Sequence, residues 1–361
     1  MPRLSDTIAR LAAVRPSIDA MPSQGKDRLS DLTGFGRNPG NLRARTYVPA
    51  KLAERPALVV VLHGCTQNAA GYDIGSGWSR LADEQGFVLL FPEQQRANNP
   101  NLCFNWFAPE DVSRDHGEAA SIREMIAAMV DAHDVDPARI FVNGLSAGGA
   151  MTAVMLATYP EAFAGGAIIG GLPYGTAMGV GQALERMRGQ QMPDDTALAR
   201  LAREASPHGG GWPTLSVWHG TADATVADSN ADAVVAQFRG LHGLTTAAAS
   251  RDTLARHPRR RWSDASGRVV VEDIRIGGMG HGTPIATRGA EAGGTAGAFM
   301  LDVGLSSTRH IAAFWGIAPV PAAQPAREAT REATRSQPAP RETAGVATVI
   351  NDALRAAGLL R

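Results

Sequence analysis

The chain has 361 residues, 44% of them hydrophobic, with 35 Lys+Arg against 35 Asp+Glu and a formal net charge of +0 at pH 7. That is enough chain for one large core with appendages, and the balanced charge supplies no field to draw it to nucleic acid or an acidic surface. A neutral or weakly charged substrate is expected. The two cysteines, Cys65 and Cys103, form no CxxC, which excludes zinc-ribbon and thioredoxin-type sites and leaves them able to pair. The opening stretch from Met1 to Pro16 is broken by Asp6, Arg10 and Arg15, so it lacks the apolar run of a secretory signal. No later segment is apolar for long enough to span a bilayer. The expectation is a cytoplasmic chain, or an exported one whose leader has been removed.

Residues 1–40 read as an N-terminal extension and 41–316 as one catalytic domain. Within the latter, short β-branched runs alternate with helical patterns, which predicts a mostly parallel sheet flanked by helices. The strand candidates are Leu58 to Leu62, Phe87 to Phe91, Ile140 to Val142, Ala167 to Ile169, Leu215 to Trp218 and Val269 to Ile276. Their continuous apolarity suits strands buried on both faces. Ile122, Met125, Ile126, Met129 and Val130 recur at helical spacing. Residues 172–212 interrupt the alternation with glycines, prolines and a helical piece from Asp195 to Glu204, and read as a lid or side-wall insertion. Beyond Ile317 the composition turns to Pro, Ala, Arg and Thr, so 317–345 is expected to be a flexible linker. Apolar spacing at Val346, Val349, Ile350, Leu354 and Leu359 predicts a short helix over 346–361.

Ile140-Phe-Val-Asn-Gly144-Leu-Ser146-Ala-Gly148 is a strand running into Gly-x-Ser-x-Gly and then into a helical stretch, Met151 to Thr158. Forty glycines make the bare motif common by chance. Between a strand and a helix, however, it predicts a sharp turn that pushes the Ser146 hydroxyl out at the top of the sheet. A serine hydroxyl needs a base within reach and a carboxylate to fix that base's tautomer. Asp223, in the loop after the strand ending at Trp218, is the predicted acid. Asp228 and Asp232 fall at the start of the next helix, where charge stabilisation explains them. His281, in Gly277-Gly-Met-Gly-His281-Gly, is the predicted base. His63 and His219 read as makers of loop hydrogen bonds, and His116, His133 and His310 as solvated or packed residues. The oxyanion of acyl transfer needs backbone donors. The Ala147 amide is the first, and Cys65 is preferred to Thr66 for the second.

With these pieces in place, further segments carry a resemblance. Leu62-His-Gly-Cys-Thr-Gln-Asn68, Ser76-Gly-Trp78, Phe91-Pro-Glu-Gln94, Cys103-Phe-Asn-Trp106, Gly144-Leu-Ser-Ala-Gly-Gly149, His219-Gly-Thr-Ala-Asp223 and Gly280-His281 are similar to segments of the esterase family that includes poly(3-hydroxybutyrate) depolymerases and feruloyl esterases. The resemblance implies an α/β-hydrolase fold and metal-free ester hydrolysis through an acyl-serine. It also implies a Cys65–Cys103 disulfide bracing the oxyanion loop, with two buried thiols as the alternative. Trp106 would line the substrate cleft unless it packs in the core, and Tyr174 and Trp212 are weaker cleft candidates.

The expected function is hydrolysis of poly- or oligo(3-hydroxyalkanoate) esters. The alternatives are a small-ester (feruloyl or acetyl) esterase and, from another class, a non-catalytic protein of polyester granules. No metal helix, phosphate loop or dinucleotide fingerprint is present in the sequence, so no cofactor is expected. The substrate is the expected partner, and a homo-oligomer is possible.

Overall fold

The computed structural model describes residues 25–322. The expected C-terminal helix, nearly all of the expected linker and the first part of the expected N-terminal extension lie outside this range. Twelve strands run in chain order: β1 (Ser30–Asp31), β2 (Arg43–Tyr47), β3 (Leu58–Leu62), β4 (Val88–Glu93), β5 (Ile140–Leu145), β6 (Gly165–Ile169), β7 (Thr214–Gly220), β8 (Ser250–Leu254), β9 (His257–Ser263), β10 (Val269–Ile276), β11 (Thr283–Ile285) and β12 (Met300–Asp302). Ten of them form one sheet in the order β1-β2-β4-β3-β5-β6-β7-β10-β9-β8. The six strands from β4 to β10 in this order are parallel, while β1, β2, β9 and β8 add antiparallel flanks.

Strand β3 shows why the centre of this sheet is readable as a continuous apolar run. All five of its residues are buried, with Leu58, Val60 and Leu62 in one core cluster and Val59 and Val61 in another. Successive side chains of a strand point to opposite faces, and here both faces are covered. The helices are α1 (Ala69–Ser76), α2 (Trp78–Gln85), α3 (Pro109–Val112), α4 (Gly117–His133), α5 (Ala147–Thr158), α6 (Val180–Met187), α7 (Asp195–Arg203), α8 (Ser229–Leu241) and α9 (Ser307–Phe314). On the first face Ile122 and Met125 of α4, Met151 and Val154 of α5, and Val234 and Phe238 of α8 meet the sheet. Tyr72 of α1, Trp78 of α2 and Ile311 of α9 cover the other.

The structure extends the expected elements in three places. Residues 25–40 are part of the fold: β1 pairs with β2, and Leu29 is buried in the second core cluster. Strands β2, β8 and β9 escaped the apolar pattern because arginines interrupt it; Arg259 and Arg261 on β9 are held by Asp252 of β8. The insertion at 172–212 contains two helices, of which α7 is capped by the Asp194 carboxylate accepting from the Ala197 amide. It is fastened to α8 through Leu198 against Ala233 and Ala236, and through an Arg239–Asp195 pair at 2.8 Å. Among the described residues no helix is long and apolar enough to cross a membrane.

Candidate active site

Ser146 sits between β5 and α5 with φ 57° and ψ −119°, a conformation that L-residues rarely hold. The turn around it closes because its flanking glycines have no side chain. A Cβ at Gly148 would lie 2.3 Å from the Leu62 carbonyl oxygen, and one at Gly144 would lie 2.4 Å from the Gly148 backbone. The Ser146 amide donates to the Ile169 carbonyl at the end of β6, at 2.9 Å. The serine is partly exposed while its neighbours Leu145 and Ala147 are buried.

The next residue, Gly170, connects Ser146 to the other two candidates. Its φ is +53°, and a Cβ there would lie 3.3 Å from the His281 ring and 3.6 Å from Asp223 Oδ2. His281 Nδ1 and Asp223 Oδ2 are 2.6 Å apart, with both side chains nearly excluded from solvent. The other carboxylate oxygen, Oδ1, accepts from the amides of Thr225 and Val226. Burial by itself would raise the Asp223 pKa. Contacts from His219 and His281 and the Val226 amide outweigh it and hold the carboxyl well below the usual range. A carboxylate kept ionised beside Nδ1 places the imidazole proton on that nitrogen and leaves Nε2 free to accept one. Among the described residues no hydrogen bond joins Ser146 Oγ to His281; such bonds are often long or poorly aligned until substrate binds. Phe299 meets the His281 ring edge-on at 6.2 Å.

The competing acids point elsewhere. Asp232 is paired with Arg260 and Arg275, and Asp228 precedes the first turn of α8. Of the remaining histidines, His63 is buried between the Gly64 carbonyl and the Gln94 amide, and His310 faces Glu291 at 3.2 Å.

The loop after β3 approaches the same place. The Gly64 amide donates to Gln67 Oε1 and the Thr66 amide to the Asn101 carbonyl, so the amides on either side of Cys65 are occupied. Cys65 and Cys103 are joined by a disulfide. With Ala147, Ala150, Leu172, Ala177, Ala183 and Val226, these sulfurs and Trp106 form one apolar cluster beside the serine. Trp106 is thus brought to the site, whereas Tyr174 and Trp212 pack against the main core. Tyr174 is held there by its backbone, which exchanges two hydrogen bonds with the Gln237 amide group. The residues of the insertion that do reach the cluster are Leu172, Ala177, Ala183 and Met187. Nothing in their local sequence distinguishes them from ordinary core positions.

A buried carboxyl behind this wall also escaped sequence reasoning. Glu118, fully buried at the start of α4, accepts from the Asn105 amide at 2.9 Å and from Gln94 Nε2, which also donates to the Cys103 carbonyl. The group therefore anchors the loop that carries both the disulfide and Trp106. Burial, reinforced by the charge of Asp111, pushes its pKa up to about 8 against the opposing hydrogen bonds. A raised carboxyl pKa favours the folded state at low pH, and that contribution is lost as pH rises from the ordinary glutamate range through about 8. Thermal melts should show the parent losing stability across this window, at up to about 1.4 kcal/mol per pH unit. Glu118→Gln should flatten the profile. Parallel profiles for the two proteins would refute a neutral Glu118.

A mostly parallel sheet flanked by helices, with a strained serine where a central strand meets a helix, is the α/β-hydrolase fold. An acetyl xylan esterase from Aspergillus awamori shares it with a TM-score of 0.69 at 24% identity, over 81% of this chain and 100% of that one. Residues 43–259 match the family model for Esterase PHB depolymerase, and the chain belongs to this family of carboxylic-ester hydrolases. It is 44% identical over 304 residues to poly(3-hydroxyalkanoate) depolymerase C of Paucimonas lemoignei, covering 84% of this chain and 73% of that protein. It is also 30% identical over 266 residues to acetylxylan esterase A of Aspergillus oryzae, covering 71% and 85% respectively. These relatives are enzymes, which leaves a binding-only role without support.

Proposed function

We propose that the protein hydrolyses poly- or oligo(3-hydroxyalkanoate) esters, with Ser146 as nucleophile, His281 as general base and Asp223 as the acid that orients it. The observation that carries the site assignment is the 2.6 Å bond from His281 to Asp223, set against the end of the same strand whose Ile169 carbonyl holds the Ser146 amide. Ser146 Oγ attacks the ester carbonyl as its proton passes to His281 Nε2. The tetrahedral oxyanion is met by the Ala147 amide and by the Cys65 amide, which lies between two amides that are bonded elsewhere. His281 then protonates the leaving alcohol, and water repeats the sequence to release the acid.

The substrate assignment is supported by the depolymerase relative and by the apolar wall of Trp106, Leu172, Val226 and the alanines. The fastening of α7 to α8 suits a fixed side wall for the insertion. A second reading, an esterase for small acyl groups such as acetyl, is favoured by the acetylxylan esterase relatives, because fold and site do not select the acyl group. The disulfide favours an oxidising compartment over the cytoplasm expected from the N-terminal sequence.

Rates on 3-hydroxybutyrate oligomers and amorphous polymer, set beside acetylated xylan and methyl ferulate, test the substrate. Preferred cleavage of the hydroxybutyrate esters supports the proposal. Preference for the acetyl or feruloyl substrates would replace it with the second reading.

A further inference from the structure

Asp223 has a second histidine against it. His219, at the end of β7, is 1% exposed, and its Nε2 lies 2.9 Å from the Val226 carbonyl and 3.4 Å from Asp223 Oδ2. Both neighbours are acceptors, so Nε2 carries the proton. Nδ1 is then bare, and it is buried with no hydrogen-bond partner among the described residues. A ring placed only to fill space would not need a polar edge here, since an orphaned buried nitrogen is costly.

The arrangement becomes intelligible from the carboxylate's side. An ionised carboxylate has about four lone-pair directions. Oδ1 uses its two on the Thr225 and Val226 amides, and Oδ2 uses one on His281. His219 Nε2, 3.4 Å from Oδ2 and hydrogen-bonded to the Val226 carbonyl, is the group beside the fourth. Through the Val226 carbonyl the same N–H also closes the loop from Gly220, because the Val226 amide returns to Asp223 Oδ1. Val226 is itself a buried member of the apolar cluster beside Ser146.

We propose that His219 is a positioning residue: its Nε2–H locks the Asp223 carboxylate and the Val226 turn in the orientation that presents Oδ2 to His281. The role rests on the assignment of Ser146, His281 and Asp223 above. Without the N–H, the carboxylate can rotate about its Cβ–Cγ bond and hold His281 in less productive orientations, which lowers turnover more than substrate binding.

Steady-state kinetics on a soluble nitrophenyl ester test this with His219→Leu, which keeps bulk without a donor, and His219→Gln, whose amide reaches the Nε2 position. His219→Leu should lose on the order of tenfold to a hundredfold in kcat with KM within a few-fold, short of the about ten-thousand-fold typical for loss of the acid itself. His219→Gln should recover most of it. In an Asp223→Asn background, His219→Leu should cost nothing further. Should His219→Leu not fold, His219→Asn, whose amide falls short of Nε2, takes its place. Unchanged kcat in the donorless variant, equal losses with glutamine and leucine, or the same loss in both backgrounds would overturn the proposal. Full activity of Asp223→Asn alone would instead sink the underlying site assignment.

Discussion

Replacing Ser146 with alanine should lower kcat for ester hydrolysis by up to about a million-fold, with the melting temperature little changed. The size of the effect follows from the chemistry, because a covalent route without its nucleophile leaves only what the oxyanion donors and substrate binding supply. The fold should persist because the neighbouring glycines, and not the serine, permit the tight turn. Gly144 and Gly148 lie where any Cβ would meet backbone at 2.4 Å or less. Alanine inherits the positive φ that serine already bears, so the backbone strain is the same in both proteins. Labelling by a fluorophosphonate should disappear together with turnover. If Ser146→Ala hydrolysed esters at the parent's rate, the nucleophile would have to be sought elsewhere.

The second large effect should come from the disulfide. It closes a loop with a sequence separation of 38, for which chain entropy alone gives an upper stabilisation of about 4 kcal/mol. Cys65→Ala combined with Cys103→Ala should therefore lower the melting temperature by roughly 5–10 °C. Activity should fall as well, since Cys65 carries the proposed oxyanion amide and Cys103 begins the stretch that bears Trp106. If the amide shifts, kcat falls more than KM rises, because the oxyanion forms only along the reaction path. Dithiothreitol should reproduce both effects in the parent and neither in the double variant. A double variant with unchanged melting and turnover would show that the loop is held by its hydrogen bonds alone.

The two substitutions probe features that were legible in the sequence to different degrees. Ser146 was legible because everything that strains it is local: a strand, two glycines and a helix within a few residues. Asp223 was similarly marked by its place just after β7. The Cys65–Cys103 bond was only an implication of family resemblance, since spacing alone cannot bring two loops together. Trp106 reached the apolar cluster, but Tyr174 and Trp212 turned into the main core, because an aromatic at the end of an insertion looks the same whichever way its backbone is anchored. The arginine-bearing strands β8 and β9 were missed for a related reason. Their charges are neutralised by partners such as Asp252 and Asp273 that only pairing across the sheet supplies.

By itself the sequence determined the parallel centre of the sheet and singled out the serine, acid and histidine proposed for catalysis, because buried strands and strained turns leave their mark within a few residues. Tertiary structure decided what those groups touch. The bond between His281 and Asp223 crosses 58 residues, Glu118 meets Asn105 through the packing of α4 behind a loop, and His219 faces the acid only because the turn to Val226 folds back on it. Such distances depend on strand order and on the closure of separate loops over one end of the sheet. Local sequence limits these arrangements but does not select among them.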